Sequence, residues 1–283
     1  MNFRTDLALE RRELIKNSVP DGVEFEEKFC GECKVTHIRI TTDEGERSLN
    51  KPRGNYVTVE IPKPTSLPDE NAEIIDAIAE ELKALVTGDG TVLVVGLGNH
   101  NITPDAIGPK TVHYTLTTRH VTSEMPDFNF RSVAAVATGV MGQTGIESSE
   151  IVRSICDRIK PTCVIVVDAL AAMSVERLCK TVQICDTGIS PGSGVGNRRS
   201  ELSAKTLGVK TIAVGVPTVV DAVTIAADMT GGHTAKSGEF DSLMVTPQEI
   251  DSLVTAVSRI LSLAIGRALQ PSLSISDLYF LTV

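Results

Sequence analysis

The chain has 283 residues, 42% of them hydrophobic, which is enough to build the core of one large α/β domain or two small ones. A formal net charge of −9 and a pI near 5.1 speak against a nucleic-acid binder, whose surface carries a basic patch. Trp is absent and aromatics make up 4%, so base-stacking platforms are unexpected, and six cysteines in this length do not form a disulfide framework.

Residues 1–20 are charged and lack the apolar core of a secretory signal, which predicts an exposed arm or helix. Cys30 and Cys33 form the single C-x-x-C; a zinc site needs a second pair, so they read as free thiols of a reducing compartment. Residues 35–41 and 56–61 alternate apolar and polar, as half-buried strands do. Gly45, Pro52 and Gly54 in residues 43–55 predict a hairpin-like connection between them. Ile74, Ile75, Ile78, Leu82 and Leu85 fall on one helical face, which Gly88-Asp89-Gly90 terminates.

The stretch 91–109, TVLVVGLGNHNITPDAIGP, organises the rest. Its VLVV run reads as a buried parallel strand, and Gly96 and Gly98 allow a sharp turn where it ends. Thr103-Pro104 reads as an N-cap with proline at the first helical position, which puts Asp105 in the first turn beyond a strand's C-terminal end. In open α/β sheets ligands bind at that edge. Residues 132–138 are the next strand, 139–145 a glycine-rich turn, and Ile151, Ile155 and Ile159 mark a helix. After Pro161 comes the apolar run 164–167, with Asp168 directly behind it. Further strands fall at 181–185 and 211–216, separated by the loop 186–197, and Pro217 opens a helix through 227.

Residues 230–241 are small and polar and predict a mobile connection. Thr246-Pro-Gln-Glu249 matches a capping box ahead of a long amphipathic helix marked by Ile250, Leu253, Val254, Val257, Ile260 and Leu261. The tail 271–283 has an apolar end that suits a partner subunit or the chain's own core. No apolar run reaches the roughly 18–20 residues of a bilayer span, so a soluble, intracellular chain is expected. Strands alternating with helices predict a single α/β domain over 1–283, a three-layer αβα arrangement around a mostly parallel sheet, with the early strands as an N-terminal antiparallel β-hairpin.

If the strands at 92–95 and 164–167 are neighbours, Asp105 and Asp168 point into one crevice. Two close carboxylates cannot both ionise cheaply; one holds a proton while the other acts as a base, and such a pair can hydrolyse a peptide bond without a metal. Alone, Asp105 reads better as a helix-start aspartate favoured by the dipole, and Asp168 can read as a cap for a following helix. Asp186-Thr187-Gly188 matches the D-T-G of pepsin-like proteases, but those are all-β, so Asp186 is expected to line or shape a groove. Gly192-Ser193-Gly194-Val195-Gly196 fits neither dinucleotide nor Walker spacing and reads as a tight turn or a loop that grips a substrate's main chain. Ser193 is not in a nucleophile elbow. His113 and His120 are seven residues apart and share a metal only if one helix covers both; with His100 they read more simply as surface or packing residues, and no metal or cofactor is expected.

The motifs GLGNHNITPDAIGP, GVMGQTGIESSEI, VDALAA, DTGISPGSGVGN and GVPTVVDAVTI resemble, in unbroken order, the germination proteases of endospore-forming bacteria. RTDLALE near the start and LMVTPQEID near the end extend the likeness. GLGN…D and VDA are also similar, more distantly, to hydrogenase maturation endopeptidases, which share an αβα fold and bind metal through carboxylates and a histidine. The resemblance implies an endopeptidase with Asp105 and Asp168 as its catalytic pair. It implies small acid-soluble spore proteins as substrates, a homotetramer, the cytoplasm of the forespore or spore core, and a zymogen that removes its own N-terminal segment. The family's preference for an acidic residue before the cut, then a hydrophobic residue and alanine, selects Asp6-Leu7-Ala8, with 1–6 as the propeptide. It also implies a basic contact, for which Arg119, Arg198 and Arg199 qualify by charge. No direct nucleic-acid or membrane contact is implied. A metal-assisted peptidase of the maturation type would be chelator-sensitive. A non-enzymatic small-molecule binding module on the same scaffold would keep its role in Asp105→Asn and Asp168→Asn.

Overall fold

Apolar runs buried on both faces belong in the middle of a covered sheet, and here they take that place. The structure is a computed structural model that describes residues 4–15, 19–65, 67–125, 129–193, 196, 199–229 and 243–282. Among the described residues nine strands form one sheet. They are β1 (Val23–Cys30), β2 (Cys33–Ile40), β3 (Gly54–Glu60), β4 (Val92–Leu97), β5 (Val133–Gly139), β6 (Cys163–Ala172), β7 (Thr181–Cys185), β8 (Lys210–Asp221) and β9 (Met244–Val245). Their order is β1-β2-β3-β7-β8-β6-β4-β5, with β9 beside β8. The centre of the sheet, β5-β4-β6-β8, is parallel, and β4 is buried along its whole length. The flank β1-β2-β3-β7 and β9 pair antiparallel.

Helices cover both faces, giving three layers. Ala72–Leu85, Ile107–His113 and Ile250–Leu269 pack together over Val92, Val94, Ile165, Val167, Ile212 and Val214. On the opposite face Ser148–Ile159 lays Val152 and Cys156 over Leu93, Val95, Val164 and Val166. Successive strand residues alternate faces, so one apolar run feeds both cores. Ile250–Leu269 is long and apolar enough to cross a membrane by length and composition, although Asp251, Arg259 and Arg267 interrupt it, and 72% of its 18-residue apolar window is buried inside the protein.

Several local expectations change. The N-terminal hairpin is β1 with β2, turning at Gly31-Glu32; β2 and β3 are joined through the helix Asp43–Leu49, capped at its start by the Thr42 side chain and closed by Asn50 in the left-handed conformation. A capping threonine followed by acidic residues in the first turn was the helix signal there. The strand predicted to stop before Pro217 runs on to Asp221. The register against β6 shifts beside that proline, from Leu170 opposite Pro217 to Ala171 opposite Val219; such an irregularity tolerates a residue without an N–H. Thr246 caps no helix: its hydroxyl donates to the Thr218 carbonyl at 2.9 Å, and the last long helix begins at Ile250. In the tail, Leu278 packs into the core, whereas Phe280 and Leu281 are exposed. The predicted connection 230–241 lies outside the described residues.

Candidate active site

The site forms where the central strands stop pairing. β4 accompanies β6 as far as Gly96 opposite Val167, then turns away. One residue later comes Asp168. It is not at a strand end, because β6 continues to Ala172 and sets Asp168 opposite Gly215 of β8. By alternation Asp168 continues the row Val164, Val166. It is 5% exposed, and its Oδ1 accepts the Ala169 N–H at 2.9 Å.

Asp105 is delivered by the turn that follows β4. It closes the short 3₁₀ helix Thr103–Asp105, which has proline in its opening turn as predicted. The predicted cap differs: Thr103 donates instead to Asp251 at 2.7 Å. The Asn99 N–H donates to Asp105 Oδ2 at 2.7 Å. Gly98 makes that turn possible. Its φ is +111°, and a Cβ there would stand 2.0 Å from the Asp105 carbonyl oxygen. Gly108 lets the next helix press on the sheet, since its Cβ would meet the Leu97 and Val167 carbonyls at 2.2 and 2.6 Å.

Burial raises the pKa of both carboxylates. Asp168 is pushed well above the usual carboxylate value, first by burial and then by the Asp105 charge; the Ala169 N–H opposes the rise, and Asp6 adds to it. Asp105 is raised by burial, and the Asn99 N–H offsets part of that. Each additional negative charge near a buried acid makes its ionisation harder.

Asp105 and Asp168 line one cavity of about 560 Å³. Gly192 and Ser193 form part of its wall, as does Arg199, which stands 3.6 Å from Glu147. Gly194 and Arg198 lie outside the described residues. Asp186 lines neither this cavity nor its neighbour: its two oxygens accept the Asn55 N–H and side-chain amide at 2.8 and 2.6 Å, which ties the start of β3 to the end of β7. Arg119, His100, His113 and His120 are exposed and do not line the cavity. His113 ends one helix and His120 lies on the next, so no single helix presents both. Among the described residues no group of three or more His, Cys, Asp or Glu side chains is placed to hold a metal ion.

The sequence profile of the germination proteases matches residues 4–232, which include every residue of this cavity up to Val219. The chain belongs to the germination protease family. The protein named germination protease from Clostridium perfringens strain 13 is 44% identical, covering 98% of this chain and 98% of that one. Those of Caldanaerobacter subterraneus subsp. tengcongensis and Oceanobacillus iheyensis are 42% and 47% identical, covering 97% and 80% of this chain and 96% and 66% of their own. Among solved structures, a NiFe hydrogenase maturation protease from Thermococcus kodakarensis aligns with 65% of this chain and 98% of its own at a TM-score of 0.37 and 16% identity. As a germination protease family member the chain is a peptidase.

Among the described residues the N-terminal segment forms the expected helix, Ala8–Glu13, but it is buried at Ala8, Leu9 and Glu10 and is not an exposed arm. Asp6 lines the Asp105–Asp168 cavity and also an adjoining one of about 480 Å³. Leu7 and Ala8 are fully buried, Leu7 among Leu170, Ala172, Leu178 and Val220. Arg4 bridges to Asp221 at 3.2 Å. Glu10 is also fully buried. It accepts the Met173 and Ser174 N–H groups at 2.7 and 3.0 Å and the Thr5 hydroxyl. Composition hid this, because a charged stretch reads as solvated; the apolar triplet Leu7-Ala8-Leu9 was the available signal.

Proposed function

We propose that the chain is an endopeptidase that hydrolyses small acid-soluble spore proteins through the Asp105–Asp168 pair. The observation that carries the proposal is that Asp105 lines one cavity with the buried Asp168, whose pKa is raised by burial and by the Asp105 charge. Asp168 is the acid and Asp105 the base, because Asp168 is the more buried and the more strongly raised of the two. Asp105 takes a proton from water, and the hydroxyl adds to the scissile carbonyl carbon. As the C–N bond breaks, the Asp168 proton passes to the leaving amine. The proton on Asp105 then returns to Asp168, and the pair is restored.

The substrate class, the homotetramer and the setting in the forespore or spore core rest on the family. So does a zymogen cut at Asp6–Leu7, for which residues 1–6 are the released segment. Gly192, Ser193 and Arg199 are the groove residues of this proposal, and their place on the cavity wall supports it.

The test is intact-mass analysis after mild acidification, wild type beside Asp168→Asn, with both proteins then given a small acid-soluble spore protein. The expected outcome is loss of residues 1–6 and cleavage of the substrate in wild type alone. Equal cleavage by both proteins would overturn the aspartate mechanism.

A further inference from the structure

The carbonyl of Asp6 is held by two side-chain donors that are far apart in sequence. Lys51 Nζ donates to it at 2.7 Å and Gln183 Nε2 at 3.1 Å. Gln183 also turns its other end to the chain, where its Oε1 accepts the Ala8 N–H at 2.6 Å. A carboxamide that bonds the carbonyl of one residue and the N–H of the second after it reads extended main chain, whatever the side chain between them. Here that residue is Leu7, in its apolar pocket. On the other side, the Asp6 carboxylate accepts the Ala171 N–H at 3.0 Å and the Ser193 hydroxyl at 2.8 Å.

We infer that Lys51 and Gln183 are the carbonyl clamp of the peptidase, binding the oxygen of the residue before the scissile bond. Residues 5–8 occupy that clamp in cis, and a substrate in trans takes the same place. The inference rests on the proposed cut at Asp6–Leu7. Asp6 lies on the walls of both cavities; Lys51 and Gln183 line the one that adjoins the cavity of Asp105 and Asp168. When water adds, the carbonyl oxygen takes on negative charge. An ammonium and an amide N–H already aimed at it stabilise that charge without reorganising. The charge returns to the carbonyl as the C–N bond breaks and the amine takes its proton. Burial lowers the pKa of Lys51, and the Asp6 charge opposes part of that fall. An acidic residue before the cut therefore favours the charged form of the clamp lysine.

The test uses a peptide containing Thr-Asp-Leu-Ala, the sequence of residues 5–8, supplied in trans to the full chain. Lys51→Met keeps the length of the stem and removes the charge. Gln183→Glu keeps the acceptor for an N–H and removes the donor for the carbonyl. Both variants are expected to lose about 10²–10³-fold in kcat, with KM moving much less, because the charge develops only in the transition state. Lys51→Arg should recover part of the loss. If Lys51→Met does not fold, Lys51→Arg and Gln183→Glu carry the comparison. Variants that fold and cut within threefold of wild type would overturn the clamp while leaving the aspartate mechanism standing. A wild type that leaves both itself and the peptide whole would overturn the proteolytic reading, and the clamp with it.

Discussion

Asp6 and Ala171 are joined twice: the Asp6 N–H donates to the Ala171 carbonyl at 2.9 Å, and the Ala171 N–H donates to the Asp6 carboxylate at 3.0 Å. Ala171 is three residues past Asp168 on β6, so the N-terminal segment is fastened to the strand that carries the buried acid. Access to the aspartates and anchoring of the N-terminus are therefore one structural problem.

Replacing either aspartate tests the mechanism directly. Asp105→Asn and Asp168→Asn keep side-chain volume and remove the titratable group. Each is expected to lower kcat by about 10²–10⁴-fold while the fold persists. Steady-state rates on a peptide substrate, read beside far-UV circular dichroism, decide this. Full activity in Asp168→Asn would assign the chemistry elsewhere.

The raised pKa of Asp168 makes a stability prediction with a definite sign. The folded state binds the Asp168 proton more tightly than the unfolded state does, so this contribution is complete below the usual carboxylate value and is lost as pH rises through the raised one. For a single group the slope is at most about 1.4 kcal/mol per pH unit. Asp168→Asn should therefore melt above wild type at neutral pH, and the gap should close toward pH 4. Thermal melts across that range check it; a gap of constant size would mean that Asp168 titrates normally.

Gly98 is the hinge that brings Asp105 back to the sheet edge. Gly98→Ala places a methyl against the Asp105 carbonyl in a backbone conformation that side chains avoid. It is expected to cost at least roughly 2 kcal/mol and to lower activity more than the loss of folded protein explains. Denaturant unfolding paired with rate measurements separates the two effects.

Glu10 binds the loop after β6 from the first helix. Glu10→Ala leaves the Met173 and Ser174 N–H groups and Arg177, 3.5 Å away, without their buried carboxylate. The expected loss is about 3 kcal/mol. Hydrogen exchange should rise first in residues 4–14. Unchanged exchange there would show that the segment is held by Leu7 and the Asp6 bonds alone.

Much of this was legible in sequence because it is local. The VLVV and VIVV runs announced covered parallel strands, and Gly98 and Pro104 announced the turn that carries Asp105. Five motifs in order announced the family. The helix Asp43–Leu49 was missed because three turn-forming residues outweighed a modest cap. The capping box at Thr246 was misread because a competing carbonyl, supplied by Thr218 from far along the chain, took the hydroxyl.

By itself the sequence determined the strand and helix periods, the family and the pair of aspartates to watch, since each depends on neighbouring residues and their steric preferences. Only the tertiary structure decided that Asp105 and Asp168 share a cavity, that Asp186 is spent on Asn55, and that Thr5 and the stretch from Leu7 to Glu10 are buried. It also decided that Lys51 and Gln183 meet on the Asp6 carbonyl. Those outcomes depend on which strands become neighbours and where each stops. Burial and electrostatic coupling arise from such juxtaposition, and no stretch of sequence carries them alone.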